Sequence, residues 1–193
     1  MALKDRVQNI IVKPSQEWDV IAGETASTPD LIKNYALPLV AIGVIAGFIG
    51  STLIGSFRFA TGLAVAIAAG VMALVGVYVL GLIINALAPK FGGEKNSAQA
   101  LKVAVYSFTP GWVAAALRVI PSLGILAALA GLYGIYVLYL GLPRLMKCPQ
   151  DKAVTYTLVV VACGIGIGIV AGLISGAIVG AGAMATGGLP TRM

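Results

Sequence analysis

The sequence predicts an all-α integral membrane protein, a five-helix bundle that follows a short amphipathic N-terminal segment. Of the 193 residues, 59% are apolar and 10% are charged, against about 45–50% and about 25% in soluble domains. So few charges could not cover the surface of a soluble domain of this size. The 25 glycines lack the three-residue period of collagen, and the apolar content excludes a disordered chain.

The charged residues divide the chain into blocks. Residues 34–89 contain only Arg58, residues 103–143 contain only Arg118, and residues 153–191 contain none. Because a hydrocarbon core of about 30 Å needs about 20 helical residues, the blocks predict five spans, at approximately 37–56, 61–87, 100–119, 123–142 and 153–181. The apolar runs are continuous rather than alternating, which favours helices over strands. An alternative is that the third and fourth spans form a re-entrant hairpin.

These spans divide the chain into an N-terminal segment (residues 1–36), a membrane domain (residues 37–184) and a short tail (residues 185–193). The N-terminal segment and the second and fourth loops together carry ten Lys or Arg residues, whereas the opposite side carries only Arg58, Arg118 and Arg192. This asymmetry predicts a cytoplasmic N-terminus and an external C-terminus. It also accounts for most of the net charge of +6, so nucleic acid is not an expected partner.

The N-terminal segment is amphipathic, since Leu3, Val7 and Ile11 recur at helical spacing. One interpretation is a helix that lies on the lipid bilayer with Trp18 at headgroup level. The other is that the apolar face packs on the cytoplasmic loops of the protein itself. The sequence does not distinguish between them.

The sequence contains no pattern typical of catalysis. It has no histidine, and all seven acidic residues lie outside the predicted spans. A proton relay inside the membrane would therefore have no ionisable carboxylate. Cys148 and Cys163 are not spaced like metal-binding or redox cysteines. We therefore expect neither an enzyme, nor a cofactor, nor a metal site.

Glycine is the most regularly spaced residue within the predicted spans. Small residues repeat every four positions in the first and last spans, and these repeats predict close helix packing. Packing within the bundle is favoured over a homo-oligomer interface. The glycines concerned are Gly43, Gly47, Gly55, Gly164, Gly168, Gly172, Gly176 and Gly180.

Polar residues within the spans cluster around a break in the third span. One interpretation is a cavity there for a lipid or a small solute. The favoured alternative is a kink whose backbone groups are satisfied by neighbouring hydroxyls, with aromatic packing around it. The residues concerned are Asn85, Tyr106, Thr109, Pro110, Tyr133 and Tyr136.

Several segments, in this order and spacing, resemble the Yip family of Ypt/Rab-interacting membrane proteins in its prokaryotic form. The resemblance covers about residues 10–175. The segments are Val12-Lys13-Pro14-Ser15-Gln16-Glu17-Trp18, Tyr106-Ser107-Phe108-Thr109-Pro110, Leu132-Tyr133-Gly134-Ile135-Tyr136-Val137-Leu138-Tyr139-Leu140-Gly141-Leu142 and Leu145-Met146-Lys147-Cys148-Pro149-Gln150-Asp151-Lys152-Ala153.

The resemblance implies five helices, a cytoplasmic N-terminus, no enzymatic activity and a prokaryotic plasma membrane. Eukaryotic relatives act in Rab-linked vesicle traffic, but their N-terminal region is much longer than the 36 residues here, which argues against binding of a Rab-type GTPase. Two function classes follow. The first is a non-catalytic scaffold that binds membrane proteins or lipid. The second is a small transporter or channel for a neutral solute or lipid, through the region of Pro110, Tyr133 and Tyr136.

Overall fold

The computed structural model describes residues 2–25, 27–54, 58–120 and 123–185, and these residues form helices and short connections without a strand. Five helical stretches are long and apolar enough to cross a membrane, which confirms the all-α five-span prediction. They are Thr28–Thr52, Phe59–Phe91, Ser97–Leu117, Leu129–Met146 and Gln150–Gly180. Gly55 and residues 186–193 of the predicted tail lie outside the described residues.

The described helices are named here in chain order. Two short helices form the N-terminal hairpin, and seven further helices build the spans. They are α1 (Leu3–Val12), α2 (Pro14–Gly23), α3 (Thr28–Leu31), α4 (Leu37–Ile49), α5 (Phe59–Leu87), α6 (Ser97–Ser107), α7 (Thr109–Ala114), α8 (Gly124–Met146) and α9 (Gln150–Ala185).

A π-helical turn, Ile32–Ala36, joins α3 to α4 within the first span. Its cause is Pro38, which has no N–H to donate to the carbonyl four residues earlier. The chain widens locally instead, and the N–H of Leu37 bonds to the carbonyl of Ile32, five residues back. The turn holds Tyr35 in a buried position on the inner side of the first span.

The third span is broken at Phe108, between α6 and α7. Pro110 lies in the first turn of α7, where its missing N–H removes no helical bond. The N–H of Phe108 bonds to the carbonyl of Val105 at 3.2 Å, and the N–H of Trp112 to that of Phe108 at 3.0 Å. The break therefore separates two helices rather than bending one.

The N-terminal hairpin, the second loop and the fourth loop meet at one end of the bundle. The N–H of Glu94 bonds to the carbonyl of Met146 at 2.8 Å, and the Lys147 ammonium lies 2.8 Å from the Glu94 carboxylate. The hairpin reaches the same end through Arg144 and Asp19, whose charged groups are 2.8 Å apart. The segments that carry the ten cations therefore lie on one side, here called the N-terminal face.

Helix α5 packs against α4, α6 and α9, and the third span is the most buried of the five. Two of its glycines allow close approach: a Cβ on Gly81 would lie 3.2 Å from the Cα of Leu101, and one on Gly70 would lie 2.6 Å from Val44. A Cβ at either position would be closer to its neighbour than ordinary van der Waals contact. The helices therefore pack more closely there than larger residues would permit.

The repeated glycines of the last span do not form the intramolecular seam that their spacing predicts. A Cβ on Gly164 would meet Leu80 at 3.8 Å, but one added at Gly168, Gly172, Gly176 or Gly180 would meet nothing within 4 Å. In the first span, Gly43 is close to Ala115, at 3.0 Å, whereas Gly47 faces open space. Gly168 and Gly172 instead border a cavity between α9 and α5.

Two glycines three residues apart on α8 provide a matched test of this packing. We expect Gly134→Ala to destabilise the protein by about 1–3 kcal/mol, because its Cβ would lie 2.8 Å from the carbonyl oxygen of Ser107. Gly131→Ala meets nothing within 4 Å and should be neutral, or stabilise by about 0.5–1 kcal/mol through helix propensity. Equilibrium unfolding in detergent measures both, and equal effects of the two substitutions would refute the packing described here.

Candidate functional site

A buried cluster of charged groups holds the N-terminal hairpin against the bundle. The guanidinium group of Arg6, on α1, donates to the carboxylates of Glu17 on α2 and of Glu24, which follows α2. Arg6 is 5% exposed and Glu17 is 4% exposed. Burial alone disfavours the charged form of Arg6, but its hydrogen bond to Glu24 and the nearby negative charges raise its pKa above the ordinary value. Arg6 therefore stays charged.

A second cation enters the cluster from the third span. The side chain of Lys102, on α6, is 2% exposed. Its ammonium donates to the carbonyl oxygens of Ile21, at 3.1 Å, and of Glu24. These two carbonyls are at the C-terminal end of α2, where the helix dipole favours a positive charge. Lys102 therefore caps α2 and ties it to the third span, and the two cations of the cluster balance its two carboxylates.

Aromatic side chains connect the cluster to the first span and to the break in the third. Arg6 lies over the ring of Tyr106, 5.7 Å from its centroid, which is a favourable cation–π distance. The rings of Tyr106 and Tyr35 meet edge to face at 4.7 Å. The hydroxyl groups of Tyr35 and Thr109 are 2.9 Å apart and share a hydrogen bond. Both buried hydroxyl groups beside the break therefore have a hydrogen-bond partner.

Trp18 anchors α2 to the fourth span. Its side chain is 0% exposed, and its indole N–H donates to the carbonyl of Val137 at 3.0 Å. The indole ring rests directly on α8 at Gly141, where a Cβ would lie 2.6 Å from Cζ2 of Trp18. Trp18 is therefore packed against protein rather than lipid, because Gly141 on α8 leaves room for the indole ring.

Helix α1 packs on membrane helices, which neither interpretation of its sequence predicted. Leu3 and Val7 are half-buried and pack against the core. The carbonyl of Ile11 accepts a hydrogen bond from the Tyr133 hydroxyl at 2.8 Å. Since Tyr133 is 13 residues from Met146, the last residue of α8, the hairpin reaches about 20 Å along the fourth span.

A polar cavity of about 510 Å³ lies beside the buried charged cluster. Arg6, Glu24, Asp30, Tyr35 and Tyr106 are among the residues that line it. These side chains offer charges of both signs, so the cavity is not selective for anions. No group of three or more metal-binding side chains occurs in the part of the chain that the structure describes.

The polar residues singled out in the spans do not share one cavity. Tyr106, Thr109 and Tyr133 contact the first span or the hairpin, as described above. Pro110 is buried in α7, and Tyr136 is 49% exposed with its ring 5.8 Å from that of Tyr133. Asn85 lies on α5, where its buried side-chain oxygen has no hydrogen-bond partner among the described residues.

Three apolar cavities around the break in the third span each touch Phe108. One, of about 250 Å³, lies between α6, α8 and α9, and a second, of about 290 Å³, continues along α5 and α9. A third, of about 440 Å³, lies towards α4. Together they form what is here called the Phe108 cleft. Glycines that meet no neighbour, among them Gly47, Gly111, Gly131 and Gly168, line its walls.

The fold and the site define a multi-pass α-helical membrane protein whose N-terminal hairpin is built into the bundle. The sequence model of the Yip1 domain matches residues 9–172. The chain therefore belongs to the Yip1-domain family, as its motifs suggested.

Curated relatives of the chain come from bacteria. The inner membrane protein YohC of Escherichia coli strain K12 is 28% identical over 171 residues, an alignment that covers 82% of this chain and 88% of the relative. The protein of the same name from Escherichia coli strain O6:H1 matches equally. No solved structure matches the chain.

Proposed function

We propose that this protein is a non-catalytic scaffold of a prokaryotic plasma membrane that holds lipid in the Phe108 cleft. The observation that carries the proposal is the cleft itself, whose walls are apolar and whose glycines leave it unfilled. Glycines that packed helices together would be covered by a neighbour, but a Cβ on Gly47, Gly111, Gly131 or Gly168 would meet nothing within 4 Å. The name of the Escherichia coli relatives supports the inner membrane as its location.

In this proposal the N-terminal hairpin forms the closed side of the scaffold. It covers the third and fourth spans with paired charges and a buried indole ring, so this part of the bundle is closed. The cleft borders the same two spans, between α5, α8 and α9 and towards α4. We propose that the protein fixes lipid, and any membrane-protein partner or second copy, at that cleft.

The membrane orientation is part of the proposal. Ten cations belong to segments at the N-terminal face, and this asymmetry supports a cytoplasmic N-terminus. Reporter fusions after Met193 test it: activity of a periplasmic reporter is expected, and activity of a cytoplasmic reporter would contradict the five-span orientation.

Gentle purification from native membranes tests lipid retention. We expect about one tightly held lipid per chain, retained in Gly166→Leu and reduced severalfold in Gly168→Leu, because Gly168 lines the cleft and Gly166 does not. The two positions are on the same helix and a Cβ at either meets nothing within 4 Å, so the pair controls for stability. Equal lipid content in both variants would count against the cleft. Reproducible solute flux in liposomes that Pro110→Ala abolishes would support a transporter instead.

A further inference from the structure

Exposed lysines gather on the N-terminal face where the second and fourth loops meet. The loops are in direct contact, because the N–H of Glu94 bonds to the carbonyl of Met146 at 2.8 Å. The ammonium group of Lys152 reaches across to the second loop, where a Cβ on Gly92 would lie 3.7 Å from it. The cations of both loops therefore share one surface. These residues, here called the loop lysines, are Lys90, Lys95, Lys147 and Lys152.

The positive charge of this surface is only partly balanced by the protein. Lys147 pairs with Glu94 at 2.8 Å, and both side chains are 67% exposed. The other three loop lysines make no salt bridge with any described residue. Asp151 is next to Lys152 on α9, but consecutive residues of a helix do not face each other. Residues 90–96 and 147–152 carry four lysines and two carboxylates, so the surface has a net charge of +2.

The depth of the loop lysines indicates what meets them. Each lies within two residues of the end of a span, and only residues 92–96 and 147–149 separate the spans concerned. Such short loops hold the four ammonium groups close to the membrane. Lysines at span ends extend their charged groups to the headgroup layer. The counter-charge that this layer supplies is the phosphate of a phospholipid.

We propose that the loop lysines bind the headgroup of an anionic phospholipid in the leaflet at the N-terminal face. Cations near a membrane surface are attracted to anionic lipids. A zwitterionic headgroup such as phosphatidylcholine carries its own cation, which offsets this attraction. The surface therefore selects anionic over zwitterionic lipid. This inference does not depend on the proposed function, because none of the loop lysines lines the Phe108 cleft.

Native mass spectrometry of the full chain tests the selection. The purified protein receives an equimolar mixture of dioleoyl phosphatidylglycerol and dioleoyl phosphatidylcholine, which have the same acyl chains. We expect phosphatidylglycerol to exceed phosphatidylcholine by about three- to tenfold in the one-to-one complex. In the double variant Lys90→Gln with Lys152→Gln, the ratio should fall to about one.

The matched control is Lys4→Gln with Lys13→Gln, which removes the same charge from exposed positions of the hairpin. None of the four lysines makes a salt bridge with a described residue, so both double variants should keep the thermal stability of the native chain. The control should also keep the lipid preference. Equal loss of preference in both variants would show that total charge, and not this surface, selects the lipid, and would overturn the proposal.

The remaining outcomes also decide the matter. A ratio of one in the native chain, or a preference that persists in Lys90→Gln with Lys152→Gln, overturns the proposal. If the native chain in phosphatidylcholine nanodiscs instead binds polyglutamate and the same double variant does not, the surface takes an acidic protein and the lipid assignment is wrong. Gly168→Leu, which alters the Phe108 cleft, should leave the ratio unchanged, and a ratio of one there would place the selection in the cleft and overturn the proposal.

Discussion

Arg6→Ala is expected to destabilise the protein by about 3–5 kcal/mol and to release the N-terminal hairpin. The substitution leaves the carboxylate of Glu17, which is 4% exposed, without its partner inside the protein. Removing one member of a buried ion pair has a cost of this size. Equilibrium unfolding in detergent measures the loss, and the release is followed by a red shift of tryptophan fluorescence as Trp18 becomes exposed to water.

The control is Lys4→Ala, which removes a cation from an exposed position of the same helix and should change stability by less than about 0.5 kcal/mol. A double replacement, Arg6→Met with Glu17→Leu, should recover most of the lost stability, because an apolar pair of similar volume avoids the desolvation of two charges. If Arg6→Ala is as stable as Lys4→Ala, the charged cluster does not hold the hairpin.

Trp18→Ala is the second substitution with a large expected effect, about 3–5 kcal/mol, because it empties a fully buried site. Trp18→Phe should cost less than Trp18→Ala, since it keeps an aromatic ring on Gly141 and loses chiefly the hydrogen bond to Val137. In the same unfolding measurement, the difference between the two variants separates the packing of the aromatic ring from the hydrogen bond of the indole N–H. Equal stability of the alanine variant and the native chain would show that the indole ring is not packed as described.

Gly141→Ala provides the matching change on α8. A Cβ there collides with the indole ring, so the single substitution is expected to cost about 1–3 kcal/mol. In the Trp18→Ala background the collision is absent, and the same substitution should cost almost nothing. Such non-additivity is expected only for residues in direct contact, and strict additivity would contradict the contact between Trp18 and Gly141.

The five-span fold could be predicted because membrane solvation is a property of long stretches of sequence. The blocks around Arg58 and Arg118 are long and nearly free of charge, and no tertiary contact is needed to interpret them. The glycine pattern was more difficult, because spacing alone does not show whether a partner is present. At Gly81 a neighbouring helix is close, whereas at Gly172 there is none within 4 Å.

The docking of the hairpin could not be predicted, because its contacts join residues far apart in the sequence. Lys102 and Ile21 are 81 residues apart, and Trp18 and Val137 are 119 apart. From the sequence alone, the charged residues of the N-terminal segment, including Arg6, resemble those of an ordinary exposed helix, because the sequence does not show their partners. One signal was present: the third span has the lowest mean hydropathy of the five and is the most buried, as expected for a helix that protein rather than lipid covers.

Hydrogen–deuterium exchange of the full chain in lipid nanodiscs tests most directly the claim that the N-terminal hairpin is a fixed part of the bundle. The backbone amides of α1 and α2 should exchange as slowly as those of α6, because the two helices are held by Arg6, Lys102 and Trp18. Arg6→Ala should accelerate their exchange and leave that of α5 unchanged. Exchange of α1 and α2 within seconds in the native chain, as in an undocked peptide, would contradict the account.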